Sequence, residues 1–329
     1  MIDWKSLHGD AFAGRRVLVT GGAGFIGSHL CEALIELDAQ VVALDDLSGG
    51  SWDNLAAFGD QVEQITASVL DTQQLAEAVQ SCTYVFHQAA LGSVPASVEH
   101  PRHYYQVNVQ GTLEVLDAAR AAGVKRVMFA ASSSAYGNPP DTGPKSEDLP
   151  PLPQSPYAAT KLAGEHTLRT WFHSYGLDGV SLRYFNIFGP RQSPDSAYAA
   201  VIAAFASALH QNRRPTIFGD GTQTRDFTYV ANAVHANLLA AAHPQPLQGR
   251  VLNVAAGQRV SLNQLYHEMA ALFNRPDLAP EYHPARAGDI AHSQADLTRT
   301  RQALGYEPQI SFSQGLEETV AWYQQHLLR

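Results

Sequence analysis

The chain has 329 residues, 45% hydrophobic and 16% charged, with 22 Lys and Arg against 31 Asp and Glu for a net charge of −9. Such a chain can bury a large core, as one big or two ordinary domains. The acidic excess is scattered, which excludes a nucleic-acid stripe and a polybasic membrane segment, and two cysteines, Cys31 and Cys82, are too few for a disulfide framework.

Residues 1–16 lack the apolar core of a signal peptide, so a cytoplasmic chain is expected. Arg16-Val17-Leu18-Val19-Thr20 predicts a buried strand, and Gly21-Gly22-Ala23-Gly24-Phe25-Ile26-Gly27 opens a helix with Leu30, Leu34 and Leu37 on its apolar face. A second strand over 40–44 stops at Asp45-Asp46, and further apolar strands are predicted at 84–87 and 126–130, with a helical pattern over 108–122. Strands alternating with helices predict a parallel sheet covered on both faces. The connection over 137–156 holds seven prolines. At its end Ser155-Pro156 reads as a helix start, which puts Tyr157 and Lys161 one turn apart on one face. Beyond about residue 183 the alternation breaks down, at 188–191, 218–221 and 275–284, into shorter elements punctuated by Gly and Pro. The apolar run over 199–209 is too short to span a bilayer, so no membrane contact is expected. The fold class expected is α/β: a Rossmann-type doubly wound parallel sheet over 1–183 with a smaller mixed α/β substrate domain over 184–329. Part of 226–258 is expected to return to the first domain.

Gly21, Gly24 and Gly27, following a strand and opening a helix, have the context of a dinucleotide fingerprint. Glycines permit the tight turn and let the backbone approach a pyrophosphate at the helix N-terminus. Asp45 stands where a carboxylate meets the adenosine ribose, and no arginine lies in 45–54 to meet a 2′-phosphate, so NAD is preferred over NADP. Ser132, Ser133 and Ser134 end a strand of the same sheet, where a hydroxyl can hydrogen-bond a reacting alcohol. A phenol beside a fixed ammonium loses its proton below its usual pKa of about 10, so the Tyr157/Lys161 pair suits a general base. On spacing alone that pair reads as an ordinary amphipathic surface pair. Its place beside the glycine loop and the serines favours chemistry. Fourteen histidines offer only one close pair before the C-terminal third, His100 and His103, with no third ligand, so no metal is expected.

From about Arg16 onward the chain resembles the extended short-chain dehydrogenase/reductases, specifically the nucleotide-sugar 4-epimerases and their UDP-N-acetylglucosamine branch. The residues that carry the resemblance are 20–27, His87-Gln88-Ala89-Ala90, Asn108, 132–137, 157–161, Arg183-Tyr184-Phe185-Asn186 and Arg225-Asp226-Phe227. The resemblance implies Ser132, Tyr157 and Lys161 as catalytic residues. It implies NAD held by Gly21, Gly24, Phe25, Ile26, Gly27 and Asp45 on one side. Ser68, Val69, Gln88, Ala89, Ala90, Asn108, Tyr157, Lys161 and Tyr184 complete that set. A UDP-sugar would meet Ser93, Ser132, Ser133, Ser134 and Asn186. Its nucleotide end would meet Ala200, Val201, Ile217, Phe218, Arg225, Arg286 and Asp289, with Ser293 near C2 of the sugar.

The implied mechanism has Tyr157, kept acidic by Lys161 and the cofactor's charge, removing the 4-OH proton. A hydride passes from C4 to NAD+, the 4-keto sugar rotates, and the hydride returns to its other face. Ala67-Ser68 stands where the family reads Gly-Asp, which removes a carboxylate from the adenine site. No acid occupies 133–135, which argues against elimination or decarboxylation. Ser293 replaces a bulky wall and leaves room for an N-acetyl group, favouring UDP-GlcNAc/UDP-GalNAc with UDP-glucose/UDP-galactose as a secondary pair. A UDP-glucose or UDP-glucuronate 4-epimerase, or a non-catalytic NAD-sensing protein on the same fold, are the alternatives. Helices near 108–122 and 157–175 are the expected homodimer surface.

Overall fold

A computed structural model describes residues 2–139, 143–193, 201–285 and 291–326. Seven parallel strands form the central sheet. From one edge they run Arg250–Val254, Gly179–Tyr184, Arg126–Ser132, Tyr84–His87, Arg16–Thr20, Gln40–Asp45 and Val62–Thr66. This is the Rossmann-type α/β fold, and its central strands are apolar because helices cover both faces. Strand Arg126–Ser132 is buried along its whole length, and its register places Ser132 opposite Tyr184. Edge strand Val62–Thr66 is exposed at Glu63, Gln64 and Thr66 and carries a weak apolar signal.

Two apolar clusters sandwich the sheet. One includes Val17, Val19, Leu30, Phe86, Met128 and Leu182; the other holds Leu18, Val42, Val85, Val127 and Phe129 on the opposite face. The chain returns to this core after leaving it. Helix Val230–Ala242 packs beneath the sheet, strand Arg250–Val254 pairs with Gly179–Tyr184, and Leu297, Leu304 and Tyr306 join the first cluster. A third cluster, built on Phe188, Phe205, Leu209, Ile217, Leu265, Met269 and Leu316, is the core of the smaller lobe. No helix among the described residues is long and apolar enough to cross a membrane.

The helix Pro156–Tyr175 starts at Ser155, whose side chain accepts from Ala158 N at 3.1 Å, and stops at Gly176 in the left-handed conformation. It is fastened to the sheet by a fully enclosed ion pair, with Arg183 Nε and Nη2 donating to Glu165 at 2.8 and 2.7 Å. Removing one partner of such a pair leaves an uncompensated buried charge. Glu165→Leu is expected to cost about 3–5 kcal/mol of stability. The change would register as a lower urea midpoint, and the double variant with Arg183→Leu should recover part of it. The pattern over 108–122 divides into a π turn, Gln106–Gln110, and an α-helix, Gly111–Ala121.

Candidate active site

The strand Arg16–Thr20 ends in a turn that only glycine fits. Gly21 has φ of +70°, and a Cβ there would lie 2.7 Å from Ala89 N. A Cβ on Gly27 would lie 2.0 Å from Gly21 O. The helix Phe25–Glu36 begins at Gly24 with no side-chain cap, leaving its first-turn N–H groups to an outside acceptor. Asp45, at the end of the next strand, accepts from Ala23 N at 3.0 Å and Leu47 N at 2.8 Å. Burial raises its carboxyl above the usual carboxylate range, while those N–H bonds pull it back down.

This turn opens onto a cavity of about 690 Å³ at the carboxyl ends of the strands. Gly21, Gly24, Phe25, Ile26, Gly27, Asp45, Val69, Gln88, Ala89 and Ala90 line its glycine-loop half. Ser132, Ser133, Ser134, Tyr157, Lys161 and Tyr184 line its floor, and Asn186, Arg225 and Ser293 lie on the side of the smaller lobe. Tyr184 Oη donates to Gln88 Oε1 at 3.1 Å and accepts from Asn237 Nδ2 at 2.7 Å. Asn186 has φ of +37°, a left-handed strain that Asn tolerates better than most side chains.

Burial dominates the proton chemistry of the floor as the protein chain alone sets it. Tyr157 hydrogen-bonds Ser132, which favours the phenolate, but burial outweighs this and raises its pKa above 10. Burial pushes the Lys161 ammonium down to about 7, against the opposing pull of Glu165, and its Nζ donates to Ala130 O at 2.7 Å. Desolvation thus presses both groups toward neutrality. Ser132 Oγ accepts from Ser134 N at 3.2 Å and from Ser134 Oγ at 2.9 Å, so the three serines form one polar turn.

Several expected contacts lie elsewhere. Asn108, in the π turn, is buried behind the cavity; it accepts from Leu91 N at 2.8 Å and donates to Leu91 O and Thr160 Oγ1. It therefore shapes the wall through Leu91. Ser93 caps the helix Val94–Glu99, and Ser68 Oγ accepts from Leu70 N at 3.3 Å; neither lines the cavity, although their neighbours Gly92, Val94, Ala67 and Val69 do. Val201 begins the helix Val201–His210, Ile217 is sealed in the smaller core, and Phe218 packs on His283 with ring centroids 5.9 Å apart. None of these three lines the cavity. Ala200, Arg286 and Asp289 lie outside the described residues. Conversely, Ser48, Gly49 and Gly50 join Asp45 at the rim, and Lys145 and Gln192 stand in the wall, the latter with Oε1 buried and without a partner among the described residues. Among the described residues no group of three or more His, Cys, Asp and Glu is arranged to hold a metal ion.

Residues 17–255 match the family described as the NAD dependent epimerase/dehydratase family. This chain belongs to that family. It is 42% identical over 314 residues to the UDP-glucose 4-epimerase of Mycolicibacterium smegmatis, covering 94% of this chain and 98% of that one. Its structure matches the UDP-N-acetylglucosamine 4-epimerase from Methanobrevibacter ruminantium M1, solved in complex with UDP-N-acetylmuramic acid, with a TM-score of 0.90 and 40% identity over 95% and 99% of the two chains. It also matches the UDP-glucose 4-epimerase of Thermus thermophilus in complex with NAD, with a TM-score of 0.84 and 35% identity over 94% and 99%.

The cofactor of this chain is NAD, and the site fits it. The side-chain-free cradle at Gly21, Gly24 and Gly27, the uncapped helix above it and the Asp45 carboxylate supply the donors and the acceptor that a pyrophosphate and a ribose require.

Proposed function

We propose that this NAD-dependent UDP-sugar 4-epimerase interconverts UDP-GlcNAc and UDP-GalNAc, with UDP-glucose and UDP-galactose as a secondary pair. The observation that carries the substrate reading is Ser293. It is small, 5% exposed and set in the cavity wall alongside Arg225 and the serine turn, so the wall leaves space beside the sugar. Its backbone is fixed there by the bond from Ser293 N to Thr224 O at 3.1 Å. We assign the UDP diphosphate to Arg225 and Arg286, the uridine ribose to Asp289, and the hexose to Ser132, Ser133, Ser134 and Asn186.

Bound NAD supplies the hydride acceptor and donor for C4 of the sugar. Tyr157 takes the proton from the sugar's 4-oxygen and gives it back, and the Ser132 hydroxyl, already hydrogen-bonded to Tyr157, orients that oxygen. Lys161, held by Ala130 O, stays beside the phenol as a proton-poised partner. Ser133, Ser134 and Ala135 after Ser132 give that turn no carboxylate to remove a second proton, which argues against elimination. We further infer a homodimer through the packed helices Gly111–Ala121 and Pro156–Tyr175.

Incubating purified protein separately with UDP-GlcNAc, UDP-glucose and UDP-glucuronate, without added NAD, and following C4 configuration by NMR tests this reading. Ser293→Tyr is expected to shift selectivity toward UDP-glucose by about ten- to a hundredfold in kcat/KM. Conversion of UDP-glucose alone by the wild-type protein would overturn the N-acetylated assignment.

A further inference from the structure

Among the described residues, Lys145 is the one strongly buried cation of the cavity wall that the mechanism leaves unused. Its backbone is stitched to the segment after Ser293. Lys145 N donates to Gln294 O at 2.8 Å, Asp296 N donates to Lys145 O at 3.0 Å, and the residue bridges Ala295. Asn253 Nδ2 adds a bond to the same carbonyl at 2.8 Å. The position of Lys145 relative to Ser293 is therefore set by the main chain.

The side chain is 4% exposed and lines the cavity with Ser133, Ser134, Arg225 and Ser293. Its Nζ donates to Gly137 O at 3.2 Å and lies 5.9 Å from the Tyr136 ring centroid. An ammonium carries three donors, so this leaves two of them without a protein acceptor among the described residues. No carboxylate there pairs with it. Burial, reinforced by the positive charge of Arg225, pulls it down to about 8. A desolvated cation without a counter-charge is costly, and among the described residues it has neutral carbonyl and ring contacts only. An oxygen acceptor on the ligand completes the arrangement.

We propose that Lys145 is a specificity-determining residue whose ammonium donates to the carbonyl oxygen of a C2 acetamido group on the sugar. The assignment rests on the substrate reading above. Its position favours the hexose over the diphosphate. Nζ is anchored on Gly137, directly after the serine turn 133–136, and the main chain of Lys145 is tied beside Ser293. Both neighbours are ones the reading above places at the sugar, while Arg225, assigned to the diphosphate, acts on the same ammonium. Lys145 deepens the Ser293 argument, because a small wall residue makes space and a donor behind it rewards a group that fills the space.

The experiment compares wild-type protein with Lys145→Met for turnover of UDP-GlcNAc and UDP-glucose, for UDP affinity by calorimetry, and for melting temperature. The expected result is a loss of kcat/KM on UDP-GlcNAc at least about tenfold larger than on UDP-glucose, carried by KM, with UDP affinity changing less than either. The wild-type KM for UDP-GlcNAc should also rise above pH 8, as the ammonium loses its proton, and the variant's should not. Equal losses on both sugars and on UDP would overturn the proposal in favour of a diphosphate contact. A lower melting temperature with unchanged selectivity would overturn it in favour of a loop tether. Wild-type protein inert on UDP-GlcNAc would overturn the substrate reading and this assignment together, whereas normal wild-type turnover with an unchanged variant would overturn this assignment alone.

Discussion

Tyr157→Phe is expected to lower kcat by about three orders of magnitude, the scale of a lost general acid–base. The substitution keeps the ring and deletes only the oxygen that hydrogen-bonds Ser132. Phe has no group to take the 4-OH proton, and neither neighbour substitutes for it. Ser132 is already engaged by Ser134, and the Lys161 ammonium is turned onto Ala130 O. UDP affinity should change far less than kcat, because the lost interaction matures only as the proton moves. Single-turnover and steady-state measurements on the same UDP-sugar would decide it. A loss smaller than tenfold would remove Tyr157 from the proton-transfer role.

Gly27→Ala should abolish NAD retention. The added methyl would sit 2.0 Å from Gly21 O, 2.7 Å from Gly21 C and 3.0 Å from Gly22 Cα. All three are backbone atoms, so no flexible side chain can yield, and the turn itself must spread. Gly21 has no slack to give, because it abuts Ala89 and its N–H is bonded to Leu44 O at 2.8 Å. Gly24→Ala offers an internal comparison, since its methyl would meet the same Gly21 oxygen at 3.2 Å. NAD released on denaturing each purified protein should fall in the order wild type, Gly24→Ala, Gly27→Ala. Stoichiometric NAD in the Gly27 variant would show that the turn accommodates the methyl.

Local physics makes much of the site legible in the sequence. The glycine turn is dictated by backbone contacts that no other residue permits, and Ser155-Pro156 starts its helix through a cap that depends on two adjacent residues. The apolar strands are visible because both faces of the sheet are covered. Edge strand Val62–Thr66 is faint for the converse reason, with Glu63 and Gln64 facing water. Other features depend on distant packing. A π turn at Gln106–Gln110 directs Asn108 onto Leu91 rather than into the cavity, and nothing in its neighbours announces that. Lys145 is a single lysine in a proline-rich connection until Gly137 and the segment 294–296 enclose it. The acidity expected of Tyr157 rests on spacing to Lys161, but desolvation depends on everything around the pair.

The return of strand Arg250–Val254 to the sheet makes the two lobes inseparable as pieces of gene. A fragment ending near residue 184 would leave Gly179–Tyr184 as a bare edge, a row of unpaired amides open to pairing with another copy. It would also strip Arg126 of the carbonyls of Ala240, Ala241, His243 and Gln245 that share its guanidinium with Asp178. Swapping the smaller lobe between relatives to alter sugar preference would therefore require grafting separate stretches while leaving 230–254 in place. Point changes in the cavity wall are the more tractable course for engineering this protein.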